Sequence, residues 1–168
     1  MSEPDPLPSP GPPARPPLRR EPNPRQRILV VDDDPSLLKV NAEVLACSGY
    51  HVDAAADGAA AWDALQLNHY DLLVTDNNMP KLTGFELIQK LHLAGAALPV
   101  ILATGAPPDE QVLRYAVAPP AATLLKPYTF DELLEAVKSV LRAASASLGA
   151  AAPPPNWPGQ PLPGHPLR

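Results

Sequence analysis

A single cysteine among 168 residues, Cys47, has no partner within the chain, so no internal disulfide holds the fold and a reducing compartment suits it. Aromatic residues make up only 5%. The longest apolar run, residues 93–103, is broken by Gly95 and Pro99, and Met1 is followed by Ser-Glu-Pro-Asp-Pro rather than by the apolar stretch of a secretion signal. We therefore expect a cytoplasmic protein without a membrane partner. The four histidines, His51, His69, His92 and His165, are scattered without metal-ligand spacing. Basic surplus is lacking too: the net charge is −5, and residues 26–144 hold eight Lys and Arg against fifteen Asp and Glu. Such a surface repels a phosphate backbone, which argues against direct nucleic-acid binding.

Proline is abundant instead. Of 25 prolines, ten lie in residues 1–25 and seven in residues 153–168. Chains this rich in Pro, Gly and Ala bury too little surface to offset the entropy lost on ordering, so residues 1–25 and 145–168 read as disordered or polyproline-like tails. P-x-x-P spacing in both tails, with Trp157 in the second, would suit a proline-recognising partner, but a spacer is the commoner role of such composition. One domain is left, residues 26–144.

Within it, QRILVV at residues 26–31 is too short for a helix and ends on acids, as expected of a strand buried on both faces. Asp34-Pro35 then opens a helix, because Asp caps well and Pro suits the first turn. Leu37, Leu38, Asn41, Val44, Leu45 and Ser48 follow at mostly helical spacing until Gly49. A second strand at 51–55 leads through Asp57-Gly58 to an Ala-rich helix reaching about Asn68, in which Trp62 reads as a packing residue. The third strand, 70–75, precedes a capping box at Thr83 and Glu86. Residues 99–103 read as a fourth strand, 109–117 as a fourth helix and 123–125 as a fifth strand. A second capping box, Thr129 with Glu132, opens a last helix whose Leu133, Leu134, Val137, Val140 and Leu141 share a face. Five strand-helix units predict an α/β fold: a doubly wound five-stranded parallel sheet with helices on both faces.

In such sheets function gathers where the strands end. Here those ends carry Asp32-Asp33-Asp34, Asp76, Thr104-Gly105 and Lys126-Pro127. Each has an ordinary explanation: Asp33 or Asp34 as a helix cap, Asp76 in an Asx-turn, Thr104 as a β-former, Lys126 in a structural ion pair. Their convergence does not. Clustered carboxylates repel unless a cation joins them, and an all-oxygen ligand set suits Mg2+ or a similar hard ion.

ILVVDDDP, LLVTDNNMPKLTG, PVILATG and LLKP together resemble the receiver domain of two-component response regulators, a flavodoxin-like fold of strand order 2-1-3-4-5. The resemblance covers residues 27–141. It implies that Asp76 accepts a phosphoryl group from a sensor histidine kinase or histidine phosphotransfer protein. Asp32, Asp33, Asp76 and the Asn78 carbonyl would hold Mg2+, Thr104 would be the switch hydroxyl and Lys126 would contact phosphoryl oxygen. Gly105 would leave room beside Thr104. A receiver is no enzyme toward other substrates, catalysing only its own phosphorylation and dephosphorylation; with no helix-turn-helix or catalytic segment after residue 144, its output is expected in a separate protein. The chain departs from the family at Thr123, where an aromatic often stands three before the lysine, and at Pro119-Pro120.

Three alternatives remain. Asp32-x-Asp34 also resembles the nucleophile loop of haloacid-dehalogenase-type phosphatases, although the late acidic pair and room for a cap are missing. Three aspartates in the first loop disfavour an FMN phosphate. An adaptor that keeps the receiver shape but works unphosphorylated is the third.

Overall fold

The computed structural model describes residues 26–106 and 119–148. Both proline-rich tails, apart from residues 145–148, and the helix expected at 109–117 lie outside the described residues. Five parallel strands, β1 (Arg27–Val31), β2 (His51–Ala55), β3 (Leu72–Asp76), β4 (Val100–Thr104) and β5 (Ala122–Leu125), form one sheet in the order β2-β1-β3-β4-β5. The helices are α1 (Pro35–Cys47), α2 (Gly58–Leu67), α3 (Gly84–Leu93) and α4 (Phe130–Leu148).

Alternation along the strands divides the core in two. Leu29, Val31, Leu73, Val100 and Leu102 face α2 and α3, meeting Ala61, Leu65, Leu87 and Leu91. Ile28, Val30, Leu72, Val74 and Ile101 face the other way, toward Leu45 of α1 and Leu133, Val137 and Leu141 of α4. With both faces covered, β1, β3 and β4 need the continuous apolar runs that the sequence shows. Trp62 packs partly buried against the first cluster, with the Lys90 ammonium 4.3 Å from its ring centroid.

The helix starts follow local chemistry. Asp34 Oδ1 accepts from the Ser36 and Leu37 N–H groups at 2.8 and 3.2 Å, and both Thr-x-x-Glu boxes close as written, Thr83 with Glu86 and Thr129 with Glu132. Several boundaries differ from expectation, most by a single residue, as β5 does in starting at Ala122. β3 begins at Leu72, because Tyr70 and Asp71 are engaged with β1 and β2 before the strand pairs. β4 takes in Thr104 but leaves out Pro99, which has no N–H to give. α4 runs to Leu148 rather than stopping at 144; the Ala-rich end extends it, and Ser145 and Ser147 return their hydroxyls to the Leu141 and Ala143 carbonyls.

At the end of the sheet away from the clustered acids, Tyr70 is buried and donates to Asp53 Oδ2 at 2.7 Å. The Arg27 guanidinium lies 2.6 Å from the same oxygen and 5.1 Å from the Tyr70 ring centroid. Burial, and then the Asp53 hydrogen bond, push the Tyr70 phenol from 10.0 up to about 12. A raised value means that the fold favours the protonated form, so this contribution is whole below pH 10 and fades as pH climbs toward 12. An alkaline phenolate-absorbance titration is expected to show one tyrosine ionising near 12, and Asp53→Asn to bring that step down toward 10.

Gly84 fixes the way β3 meets α3. A Cβ there would overlap the Asp76 carbonyl oxygen and lie 2.9 Å from Leu102 Cδ1. Backbone is packed on backbone, so neither side can yield cheaply. Gly84→Ala is expected to lose about 1–3 kcal/mol in urea unfolding, whereas Gly105→Ala, whose Cβ would meet nothing within 4 Å among the described residues, changes stability little. Among the described residues, then, the space beside Gly105 is open, as the expected room beside Thr104 requires.

Candidate phosphoacceptor site

Strand register builds the site before any side chain is considered. Val31 pairs with Thr75, so Asp32 follows β1 level with Asp76; Asp76 pairs with Ala103, and Thr104 with Leu125, one residue short of Lys126. Four strand ends thus reach one rim together.

Asp76 and Asp32 are 5% and 3% exposed, while Asp33 faces solvent. One carboxylate oxygen from each of the three lies within 4.8 Å of the others. Lys126 Nζ stands 2.8 Å from Asp76 Oδ1 and 3.1 Å from Asp32 Oδ2. Burial by itself would lower the lysine's pKa, but hydrogen bonds to Asp76 and Asp32 outweigh it, and the net shift is upward. The ammonium stays charged through neutral pH, and its contribution is lost only as pH rises past the ordinary lysine value. One cation against three carboxylates leaves a surplus of negative charge in a crevice of hard oxygen donors. That set suits Mg2+ better than a softer metal.

Backbone donors fix the remaining oxygens. The Asn78 N–H donates to Asp76 Oδ2 at 2.9 Å and the Asp34 N–H to Asp32 Oδ1 at 2.9 Å. Asn77 ties the loop after β3 to both sides: its N–H meets the Ala103 carbonyl at 2.8 Å, and its side-chain oxygen accepts from the Phe85 N–H at 3.3 Å. Lys81, at φ 70°, reaches across to Asp57 at 2.7 Å, joining this loop to the start of α2.

Of the residues expected at the site, Asp32, Asp33, Asp76 and Lys126 are brought together directly, and Asn78 lies in the loop wrapped around Asp76. Thr104 is buried on the rim, but its hydroxyl donates to the Ala106 carbonyl at 2.9 Å, within its own turn. Thr123 is exposed, on an edge strand that also leaves Leu125 exposed. Asp34, the acid that a phosphatase would need, has its Oδ1 occupied as the α1 cap. Gly84, against the Asp76 carbonyl, and Tyr128, two residues after Lys126 and hydrogen-bonded to Asn41, are neighbours that the motifs do not name. Asn41 carries a weak signal, a polar residue among the inward-facing positions of α1, whereas nothing local marks Gly84 or Tyr128.

Comparison with known proteins agrees with this geometry. The family model described as Response regulator receiver domain matches residues 28–138. Response regulator MprA of Mycobacterium sp. (strain KMS) is 34% identical over 127 residues, covering 76% of this chain and 55% of that protein. A sensor histidine kinase, RcsC of Escherichia coli (strain K12), is 38% identical over 104 residues, 62% of this chain and 11% of the kinase. This chain spans about half the length of the response regulators it matches. Among solved structures, the CheY-like receiver domain protein from Methanospirillum hungatei JF-1 superposes with TM-score 0.67 at 29% identity, covering 73% of this chain and 98% of that one. No helix among the described residues is long and apolar enough to cross a membrane. Because the family match takes in all four rim segments and more than half of the sequence, this chain belongs to the response regulator receiver domain family of two-component systems.

Proposed function

We infer that this receiver takes a phosphoryl group from a phosphohistidine, on a sensor histidine kinase or a histidine phosphotransfer protein, onto Asp76, and passes the signal on through protein contacts. The observation that carries this is the placement of Asp76 Oδ1 at 2.8 Å from the Lys126 ammonium, beside two further acids. Likeness to a segment of a sensor kinase supports the choice of donor.

The transferred group carries its negative charge on three oxygens, so catalysis consists mainly of positioning and preset positive partners. An Asp76 oxygen attacks phosphorus as the bond to the donor imidazole nitrogen breaks; that nitrogen takes up a proton, and an acyl phosphate is left on the protein. Lys126, already at the attacking carboxylate, meets one phosphoryl oxygen. The Thr104 hydroxyl leaves the Ala106 carbonyl for another. Asp32, Asp33, Asp76 and the Asn78 carbonyl would hold Mg2+, which supplies charge neutralisation to the phosphoryl oxygens. Movement of Thr104 shifts the rim near β5 between two arrangements, the step that a partner reads. With Thr123 in place of an aromatic, that step does not depend on a ring turning inward.

Incubation with Mg2+ and acetyl phosphate, followed by reductive trapping and peptide mapping, tests the reading. The adduct is expected on Asp76 and is expected to require the metal. Label on Asp32 would instead indicate phosphatase chemistry, and no label an adaptor.

A further inference from the structure

Asn41 is 3% exposed, and on its side of the sheet α1 contributes Leu45 and the partly buried Leu38 to an apolar cluster. An amide so deeply buried costs stability unless it is bonded, and for packing alone an aliphatic side chain of similar size would serve better. Its Nδ2 donates to the Tyr128 hydroxyl at 2.9 Å, across 87 positions of sequence. Tyr128 packs its ring against the same cluster and follows Lys126 by two residues, with Pro127 between them. Proline fixes its own backbone angle, so restraint at Tyr128 is passed back to Lys126 rather than absorbed.

The other end of the hydrogen bond is equally well placed. α1 begins at Pro35 under the Asp34 cap, and the Asp34 N–H is itself bonded to Asp32 Oδ1. Asn41 thus belongs to the rigid element that starts just after one partner of the 3.1 Å ion pair, Asp32, while Tyr128 belongs to the loop that holds the other. The geometry points to Asn41 and Tyr128 as positioning residues: their hydrogen bond braces the Lys126 loop against α1 and keeps the ammonium between Asp32 and Asp76. This rests on Lys126 being the cation that meets the phosphoryl group. Neither residue touches the reacting atoms.

Tyr128→Phe keeps the ring and removes only the acceptor. In metal-free protein the two Cε protons of Lys126, which a held side chain splits into separate NMR resonances, are expected to collapse toward one shift. Labelling by acetyl phosphate should slow about tenfold, as befits a group displaced by a fraction of an ångström. The pair Asn41→Leu with Tyr128→Phe makes both partners apolar, and its thermal stability is expected to recover toward wild type while labelling stays slow. Recovery of stability and rate together would reduce the hydrogen bond to packing and overturn the proposal. An unchanged Lys126 signal in Tyr128→Phe would overturn it too. If the wild-type chain takes no label, the phosphoryl-transfer reading fails, yet the Lys126 resonances still decide the brace.

Discussion

Asp76→Asn takes up no phosphoryl group from acetyl phosphate under conditions that label the wild-type chain. The amide has no carboxylate oxygen to attack phosphorus, so the expected change is complete loss rather than a slower rate. Misfolding is a poor competing explanation. The Asn side-chain oxygen can still accept the Asn78 N–H, and Lys126 keeps Asp32 as its partner at 3.1 Å. Removing one of three acids from the cluster should also weaken Mg2+ binding, by roughly ten- to a hundredfold, since an oxygen site draws its affinity from ligand charge. Mass spectrometry of the trapped adduct and a calorimetric Mg2+ titration check the two parts. Persistent label in the variant would mean that another residue accepts phosphorus.

Lys126→Met is expected to move two quantities in opposite directions. Labelling falls roughly 10²- to 10³-fold, the usual cost of removing one preset partner of a transition-state oxygen. Mg2+ affinity rises, because the cation that competed for Asp32 and Asp76 is gone. Without metal the variant leaves two buried carboxylates facing each other unpaired. It should lose about 2–4 kcal/mol in urea unfolding, a value set below that of a fully enclosed pair because the lysine is one quarter exposed. Millimolar Mg2+ should restore much of this by binding only the folded form. A variant that loses labelling and metal binding together would show instead that Lys126 organises the acids rather than competing for them.

Much of this was legible in the sequence, for definite reasons. Strands whose apolar runs stop on Asp32 and Asp76 announce their own ends, and each described helix start is written in a short polar motif: Asp34-Pro35, Asp57-Gly58, Thr83 with Glu86, or Thr129 with Glu132. Parallel order then forces the strand ends onto one rim, so the convergence of Asp32, Asp76 and Lys126 followed from topology without any knowledge of packing. Contacts between distant segments were not legible. The helical spacing put Asn41 on the inward face of α1 but could not name Tyr128 as its partner, and nothing local tells Gly84 that the Asp76 carbonyl lies against it. The extent of α4 is hidden by composition, because Ser and the Pro-rich stretch beyond it suggest a linker, whereas Ala favours the helix and the serines bond back to the preceding turn.

α4 has a practical side as well. It starts a few residues after Lys126 and returns along a parallel sheet, so its 19 residues carry the chain to the pole away from the acid crevice. At 1.5 Å per residue that is about 28 Å. A surface anchor or fluorophore attached at the exposed Ser147 would therefore leave the approach of a donor protein unobstructed, and immobilised protein should load phosphate as readily as protein in solution.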